Sequence, residues 1–435
     1  MTPPPGNAFP KAVRKYLAGH AEPEAAHALQ WIPEPDAPWS FVLTVPVRRE
    51  TTDFLRDLRP AASAAPRGLV IVVVNGNDGD AGTLQDNSAF FDAVDAAFPS
   101  RAALPSQAAL PSQAAFPSQA ALPTRTALRT DPDYDLLILD RASPGSGFPE
   151  RAGVGLARKI GADVALALGT AGWIRSPWIH ASDGDAIPSP DRFSGIPESD
   201  DAVAFHHPFV HESTGDPGID EPLRLYDLSL RYYVAGLQWA GSRWAFPTIG
   251  STMTFRNDAY AAVRGFPRRE AAEDFYLLAK LAKIGRVEEA PTGPVRLRGR
   301  LSDRVPFGTG AAVTTWRDRL ARGEVFGFYA PVGFALLRRW TAALPGDRPA
   351  RDVSRDGLRP AEAAALESAL RAIDADGYAD LDPSRRDDRF DAFQTLKFLH
   401  AVRDAGFPKV PWDEVQAEAA RLGWTVRRCG SSREA

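Results

Sequence analysis

Apolar residues occur in two textures along the chain. Between 41 and 206 they gather into short β-rich runs: Phe41-Val-Leu-Thr-Val-Pro46, Gly68-Leu-Val-Ile-Val-Val-Val-Asn75, Asp135-Leu-Leu-Ile-Leu-Asp140, Trp178-Ile-His-Ala-Ser-Asp183 and Ala202-Val-Ala-Phe-His206. The run at 68–75 shows no polar alternation, the pattern of a parallel strand covered on both faces. Helix formers fill 49–58, 85–97 and 151–168 between these runs, and helices are expected again over 223–240 and 270–284. Strand and helix in alternation predict a doubly wound α/β sheet, with ligands at the carboxyl ends of its strands. From 311 the apolar positions fall at helical spacing, over 314–320, 331–343, 360–373, 390–405 and 412–422.

Two segments break this order. Residues 1–40 are rich in proline and alanine and read as an irregular leader with one helix at 10–18. Residues 98–127 hold five copies of a hexapeptide, from Phe98-Pro-Ser-Arg-Ala-Ala to Leu122-Pro-Thr-Arg-Thr-Ala. A proline every sixth residue removes backbone donors and blocks helix interiors, and a period of six matches neither strand nor helix faces. The segment is expected to be a disordered insertion in a surface loop. The predicted organisation is a leader (1–40), an α/β domain (41–310) interrupted by that insert, and a helical C-terminal region (311–435).

Composition narrows the classes. The 435 residues carry 51 basic and 55 acidic side chains, a formal charge of -4, which argues against a protein that wraps nucleic acid. The single cysteine, Cys429, excludes an internal disulfide framework and a Cys-rich zinc site. No run reaches the roughly 18 apolar residues needed to span a bilayer. The opening Met1-Thr-Pro-Pro-Pro-Gly lacks the apolar core of a signal peptide, so a cytoplasmic location is expected.

Candidate chemistry begins at Ser182-Asp183-Gly184-Asp185, just after the fourth apolar run. Two carboxylates one residue apart, with a glycine between them, can both face one divalent cation. Such hard oxygen ligands suit Mg2+ or Mn2+, which in turn bridges nucleotide phosphates. The alternative is an Asx turn that only closes the strand.

With that motif in place the chain resembles a nucleotide-sugar glycosyltransferase of the GT-A fold, similar to glycosyltransferase family 2. Thr44-Val-Pro-Val-Arg-Arg-Glu50 resembles the first-strand signature that opens the nucleotide pocket, with Pro46 and Glu50 matching and Arg48 and Arg49 replacing Tyr and Asn. Val73-Val-Asn75-Gly76 resembles the second-strand signature, except that Val74 stands where an acidic residue is usual. Gly155-Leu-Ala-Arg158-Lys159-Ile-Gly161 resembles the helix that precedes the paired aspartates. The resemblance implies a Rossmann-like, mostly parallel sheet flanked by helices. It also implies nucleotide contacts from Pro46, Val47, Glu50, Asn75, Arg158 and Lys159, and a cation with its sugar-diphosphate on Asp183 and Asp185.

Downstream, Gly250-Ser251-Thr-Met-Thr-Phe-Arg256 and Gly265-Phe266 resemble the acceptor-side segment, and Glu273-Asp274 resembles the motif that supplies the catalytic base. Displacement at an anomeric carbon needs a carboxylate to take the acceptor's proton, so Asp274 is expected to be the base and Glu273 its support. The plainer reading is that acidic residues in a first helical turn favour the helix dipole. Arg300 and Arg304, in an Arg- and Gly-rich stretch, are candidates for the departing diphosphate. His206, His207 and His211 follow a strand, where histidines are more often packed than functional. Trp239, Trp244, Tyr232 and Tyr233 are better explained by core packing than by acceptor stacking.

The expected protein is therefore a Mn2+- or Mg2+-dependent glycosyltransferase, hexosyltransferase-like and inverting, acting on a nucleoside-diphosphate-sugar and an unidentified acceptor. Rivals are a retaining GT-A enzyme, a nucleotidyltransferase, and an inactive nucleotide- or sugar-binding homologue.

Overall fold

The runs at 41–46 and 68–75 become adjacent parallel strands, Val42–Val47 (β1) and Gly68–Asn75 (β2), buried at every position. Burying each large aliphatic side chain contributes about 1.5–3 kcal/mol, so this pair fixes the centre of the fold. The structure, a computed structural model, describes residues 10–78, 80–102, 125–149, 152–197, 201–299, 301 and 308–424. The expected hexapeptide insert lies mostly outside these residues, as does Cys429.

The remaining strands are Ser100–Ala102 (β3), Ala127–Thr130 (β4), Tyr134–Arg141 (β5), Trp178–Ala181 (β6), Ala186–Ile187 (β7), Ala202–His206 (β8), Phe209–Glu212 (β9), Met253–Arg256 (β10), Arg286–Glu289 (β11) and Val295–Arg298 (β12). Nine of the twelve strands in the described residues form one sheet in the order β11-β8-β10-β6-β1-β2-β5-β4-β3. β10 runs antiparallel to both neighbours, β4 is antiparallel to β5, and β3 to β4. A second, three-stranded sheet has the order β7-β12-β9.

Helices Lys11–Gly19 (α1), Pro23–Trp31 (α2), Asp53–Asp57 (α3), Arg59–Ser63 (α4), Ala81–Ala97 (α5) and Val154–Thr170 (α6) belong with these strands. The expected helix at 49–58 is replaced by the short α3 and α4, because Pro60 sits at the start of a new helix. α6 is buried over Gly155–Gly169 and crosses from β5 to β6. The arrangement is a mixed α/β fold with a large, mainly parallel sheet flanked by helices, as the alternation of elements predicts.

The chain divides into two units. One comprises Met1–Glu212 and Thr248–Arg298, the other Ser213–Pro247 and Gly299–Ala435. Two expectations differ from this division. The leader is not irregular throughout, since α1 packs on the helix Asn257–Ala262 (α8) and α2 on α6. The helix expected at 223–240 also lies elsewhere: Pro217–Trp239 (α7) joins the second unit. The reason is its apolar stripe, Leu228, Tyr232 and Leu237, which shares a core with Phe328, Phe334, Trp340 and Trp424. Within that unit Tyr232 stacks on Trp424 at 5.4 Å and Trp424 on Trp239 at 5.3 Å, so the aromatic residues at 232–239 pack a core. Among the described residues no helix is long and apolar enough to cross a membrane.

Candidate functional site

The first unit's sheet reverses its winding at β1. β2 and β5 add on one side of it and β6 on the other. In doubly wound sheets the crevice outside the carboxyl ends of the strands flanking such a reversal is the ligand site. Here that crevice receives Arg48, Arg49 and Glu50 from the end of β1 and Ser182–Asp185 from the end of β6. Because β10 is antiparallel to β6, the turn Gly250–Thr252 at the start of β10 comes to the same end. The helix Glu273–Leu281 (α9) packs against that turn. Four segments dispersed over more than half the chain thus meet.

Arg158, on α6, ties the end of β6 to the start of α9. Its Nε donates to Glu273 Oε1 at 2.8 Å, its Nη1 to the Ser182 carbonyl at 3.1 Å and its Nη2 to Asp183 Oδ1 at 2.6 Å. The side chain is 3 % exposed. Burial works against its charge, but Asp183 and Glu273 outweigh that cost and hold the guanidinium protonated. The fit is close: a Cβ on Gly250 would lie 2.4 Å from Arg158 Nη2, so only glycine lets the turn pass. A Cβ on Gly184 would lie 3.0 Å from the Glu50 carboxyl carbon, which places Glu50 against the paired-aspartate turn.

Asp274 lies beside this network. Burial first, then the neighbouring Glu273 carboxylate, push its carboxyl up to about 7, against the opposing pull of Arg158. Its Oδ1 accepts from the Phe275 amide at 2.7 Å. A carboxyl with a midpoint near neutrality can accept a proton at ordinary pH, which suits a general base.

Asp183 and Asp185 sit half-buried at the rim of the crevice. The Asp183 carbonyl accepts from the Ala186 amide at 3.2 Å and the Asp185 carbonyl from the Arg298 amide at 3.0 Å, fixing the turn between β6 and β7 against β12. Among the described residues no group of three or more His, Cys, Asp or Glu is placed to hold a metal ion. Two carboxylates are nonetheless a fitting donor set for Mg2+ or Mn2+, which commonly take one or two protein carboxylates and fill the shell with waters and phosphate.

Other expected site residues are placed differently. Pro46 and Val47 are buried, and Asn75 is 4 % exposed, its Nδ2 donating to the Val47 carbonyl at 3.0 Å. They form the floor under the crevice by joining β1 to β2. Lys159 points away from it, since its Nζ is 2.9 Å from Asp163 in a buried cluster under α1 and α2. Assigning Lys159 to nucleotide is therefore corrected. Ser251 is 3 % exposed within its turn. Arg300 and Arg304 lie outside the described residues, while Arg298 pairs with Asp57 at 2.5 Å. Arg48 and Arg49 pair with Asp80 at 3.2 Å and Asp86 at 3.0 Å. His207 is fully buried, between Thr292 at 2.7 Å and Thr254 at 2.9 Å, and Thr254 reaches His180 at 2.8 Å. It is a packing residue, and His206 is buried beside it.

Sequence reasoning missed Arg192. This residue is 1 % exposed, and its Nη2 donates to the Ala181 carbonyl at 2.9 Å and the Met253 carbonyl at 3.1 Å, binding the end of β6 to the start of β10. Burial lowers its guanidinium to about 9. Nothing in the polar, proline-rich stretch around it signals a buried cation.

Fold and site together define a mixed α/β protein with a carboxylate-rich crevice at a topological switch point. No protein-family model matches the chain, and no curated protein does. Among solved structures it is similar to the mannosyltransferase PcManGT from Pyrobaculum calidifontis in complex with GDP-Man and Mn2+. The two are 16 % identical over 95 % of this chain and 88 % of that one, with a TM-score of 0.35. A likeness of that size assigns no activity to this chain.

Proposed function

We propose that the first unit is a GT-A, family 2-like glycosyltransferase that moves a sugar from a nucleoside diphosphate to an acceptor hydroxyl with inversion. The observation that carries this reading is the convergence, through Arg158, of the paired-aspartate turn and the Glu273-Asp274 helix start at the switch-point crevice. Asp183 and Asp185 would hold Mn2+ or Mg2+, and the bound ion supplies charge stabilisation for the leaving diphosphate. Glu50 faces the donor from the end of β1, above the floor of Pro46, Val47 and Asn75. Asp274 takes the acceptor hydroxyl's proton as that oxygen forms its bond to the anomeric carbon. The bond from that carbon to the diphosphate breaks, and the electron pair leaves with the phosphate oxygen. Gly250-Ser251 is assigned to the acceptor side.

The test is a thermal-shift panel of nucleoside diphosphates and their sugars with and without Mn2+, followed by donor turnover. Binding to the folded state raises the melting temperature by mass action. A Mn2+-dependent shift with one nucleotide, lost in Asp183→Asn/Asp185→Asn, is the expected result. Turnover absent in Asp274→Asn despite retained nucleotide binding assigns the base. No shift with any nucleotide, or full turnover by Asp274→Asn, would overturn the reading.

A further inference from the structure

The segment from Gly265 to Ala272 leads directly into Glu273 and Asp274, and it is gripped from outside the crevice. Arg268 Nε and Nη2 fork onto Glu22 Oε1 and Oε2 at 2.7 and 3.0 Å. Glu22, the residue before α2, is 6 % exposed, and its amide donates to Asp163 Oδ2 at 2.8 Å. Asp163 Oδ1 also accepts from Tyr16 at 2.6 Å and Tyr260 at 2.8 Å. On the opposite side the Arg269 carbonyl accepts from the Gly155 amide at 3.1 Å, one turn before Arg158 on α6.

The held segment ends in strain. Ala272 takes φ 63 and ψ 20, the left-handed region, immediately before Glu273. A non-glycine residue is strained there and persists only where its surroundings over-determine it. The fork from Glu22 to Arg268 is such a surrounding contact, and it comes from the N-terminal segment, outside residues 41–310.

We infer that Glu22 and Arg268 are positioning residues for the catalytic base: the N-terminal helix pair clips the segment 265–272 and so keeps Ala272 in the conformation that presents Asp274 to the crevice. This rests on Asp274 being the base of the proposed transfer. The charge pair touches no substrate. It acts by setting where α9 begins.

The experiment uses the full chain and compares Glu22→Gln and Arg268→Gln in two backgrounds, wild type and Ala272→Gly. Glycine relieves the left-handed strain, so the turn needs the clip less. Each charge-removing variant is expected to lower kcat about tenfold in the wild-type background, as a small misplacement of a reacting group does, with the donor KM held within about twofold. In the Ala272→Gly background the loss should shrink to about threefold or less. Hydrogen exchange of the amides in 266–276 should rise in Glu22→Gln and rise less in the double variant. Equal kcat losses in both backgrounds, a loss confined to KM, or unchanged exchange in Glu22→Gln would each overturn the inference. If Asp274→Asn is inactive while Glu22→Gln matches wild type, the clip fails and the assignment of the base stands. If Asp274→Asn keeps full activity, that assignment fails, and the exchange measurement still judges the clip.

Discussion

Nη2 of Arg158 lies 2.6 Å from Oδ1 of Asp183, and through the same guanidinium Asp183 is joined to Glu273. A residue in the middle of the chain therefore fixes the distance between the two acidic motifs. Removing it leaves Glu273, which is 3 % exposed, without its cation. Arg158→Met is expected to destabilise the fold by about 3–5 kcal/mol, the cost of orphaning a buried charge. Urea unfolding checks this, and a loss under about 1 kcal/mol would show that the bridge is not holding the site.

Asp274 makes the crevice pH-dependent in two measurable ways. With its carboxyl near 7 instead of the ordinary 3.8, turnover should rise as pH increases through about 7 and level off above it, because the base must be ionised. Stability has the opposite sign. The folded chain holds this proton more tightly than the unfolded chain does. The contribution is fully present below the unfolded value and is lost as pH rises through the folded one. Asp274→Asn should therefore flatten the fall in melting temperature between pH 5 and pH 8. A slope identical to wild type would place the titrating group elsewhere.

Part of the fold and site was legible in the sequence for physical reasons, and part was not. β2 and the Asp183–Asp185 turn could be read because an unbroken Val/Ile run and an acidic, glycine-containing turn are local signals. Lys159 misled for a local reason too. It is next to Arg158 in sequence, but successive helical residues point about 100° apart, so one faces the crevice and the other the Asp163 cluster. α7 looked like part of the α/β core because periodicity reports that a helix has an apolar face and not what covers it. Glu22, Asp163, Arg192 and Arg268 gave no signal, because each acquires its role from a partner distant in sequence or from a carbonyl that every residue possesses.

Asp163 should prove the anchor of the N-terminal helices. It accepts from Tyr16, Tyr260, the Glu22 amide and Lys159, and it is fully buried. Asp163→Asn retains the shape but removes the charge that compensates Lys159 and offers one acceptor oxygen in place of two. A loss of about 3–5 kcal/mol is expected, accompanied by early proteolysis within 11–31. Proteolysis elsewhere with that segment still protected would contradict the assignment.

Gly250→Ala tests the packing between the acceptor-side turn and the arginine bridge. The added Cβ would lie 2.4 Å from Arg158 Nη2 and 2.8 Å from its Cζ. Three hydrogen bonds prevent the guanidinium from swinging aside, and the turn itself is buried. Overpacking of this kind costs about 1–3 kcal/mol. The cost should depend on Arg158 alone, so combining Gly250→Ala with Arg158→Met ought to be less damaging than the sum of the two changes. A flexible, uncharged methionine can yield where the bridged guanidinium cannot. A double-mutant cycle in urea measures the difference, and a favourable coupling of at least about 0.5 kcal/mol is expected for residues in direct contact. Strict additivity would mean that Gly250 is required by the backbone of its own turn and not by the arginine against it.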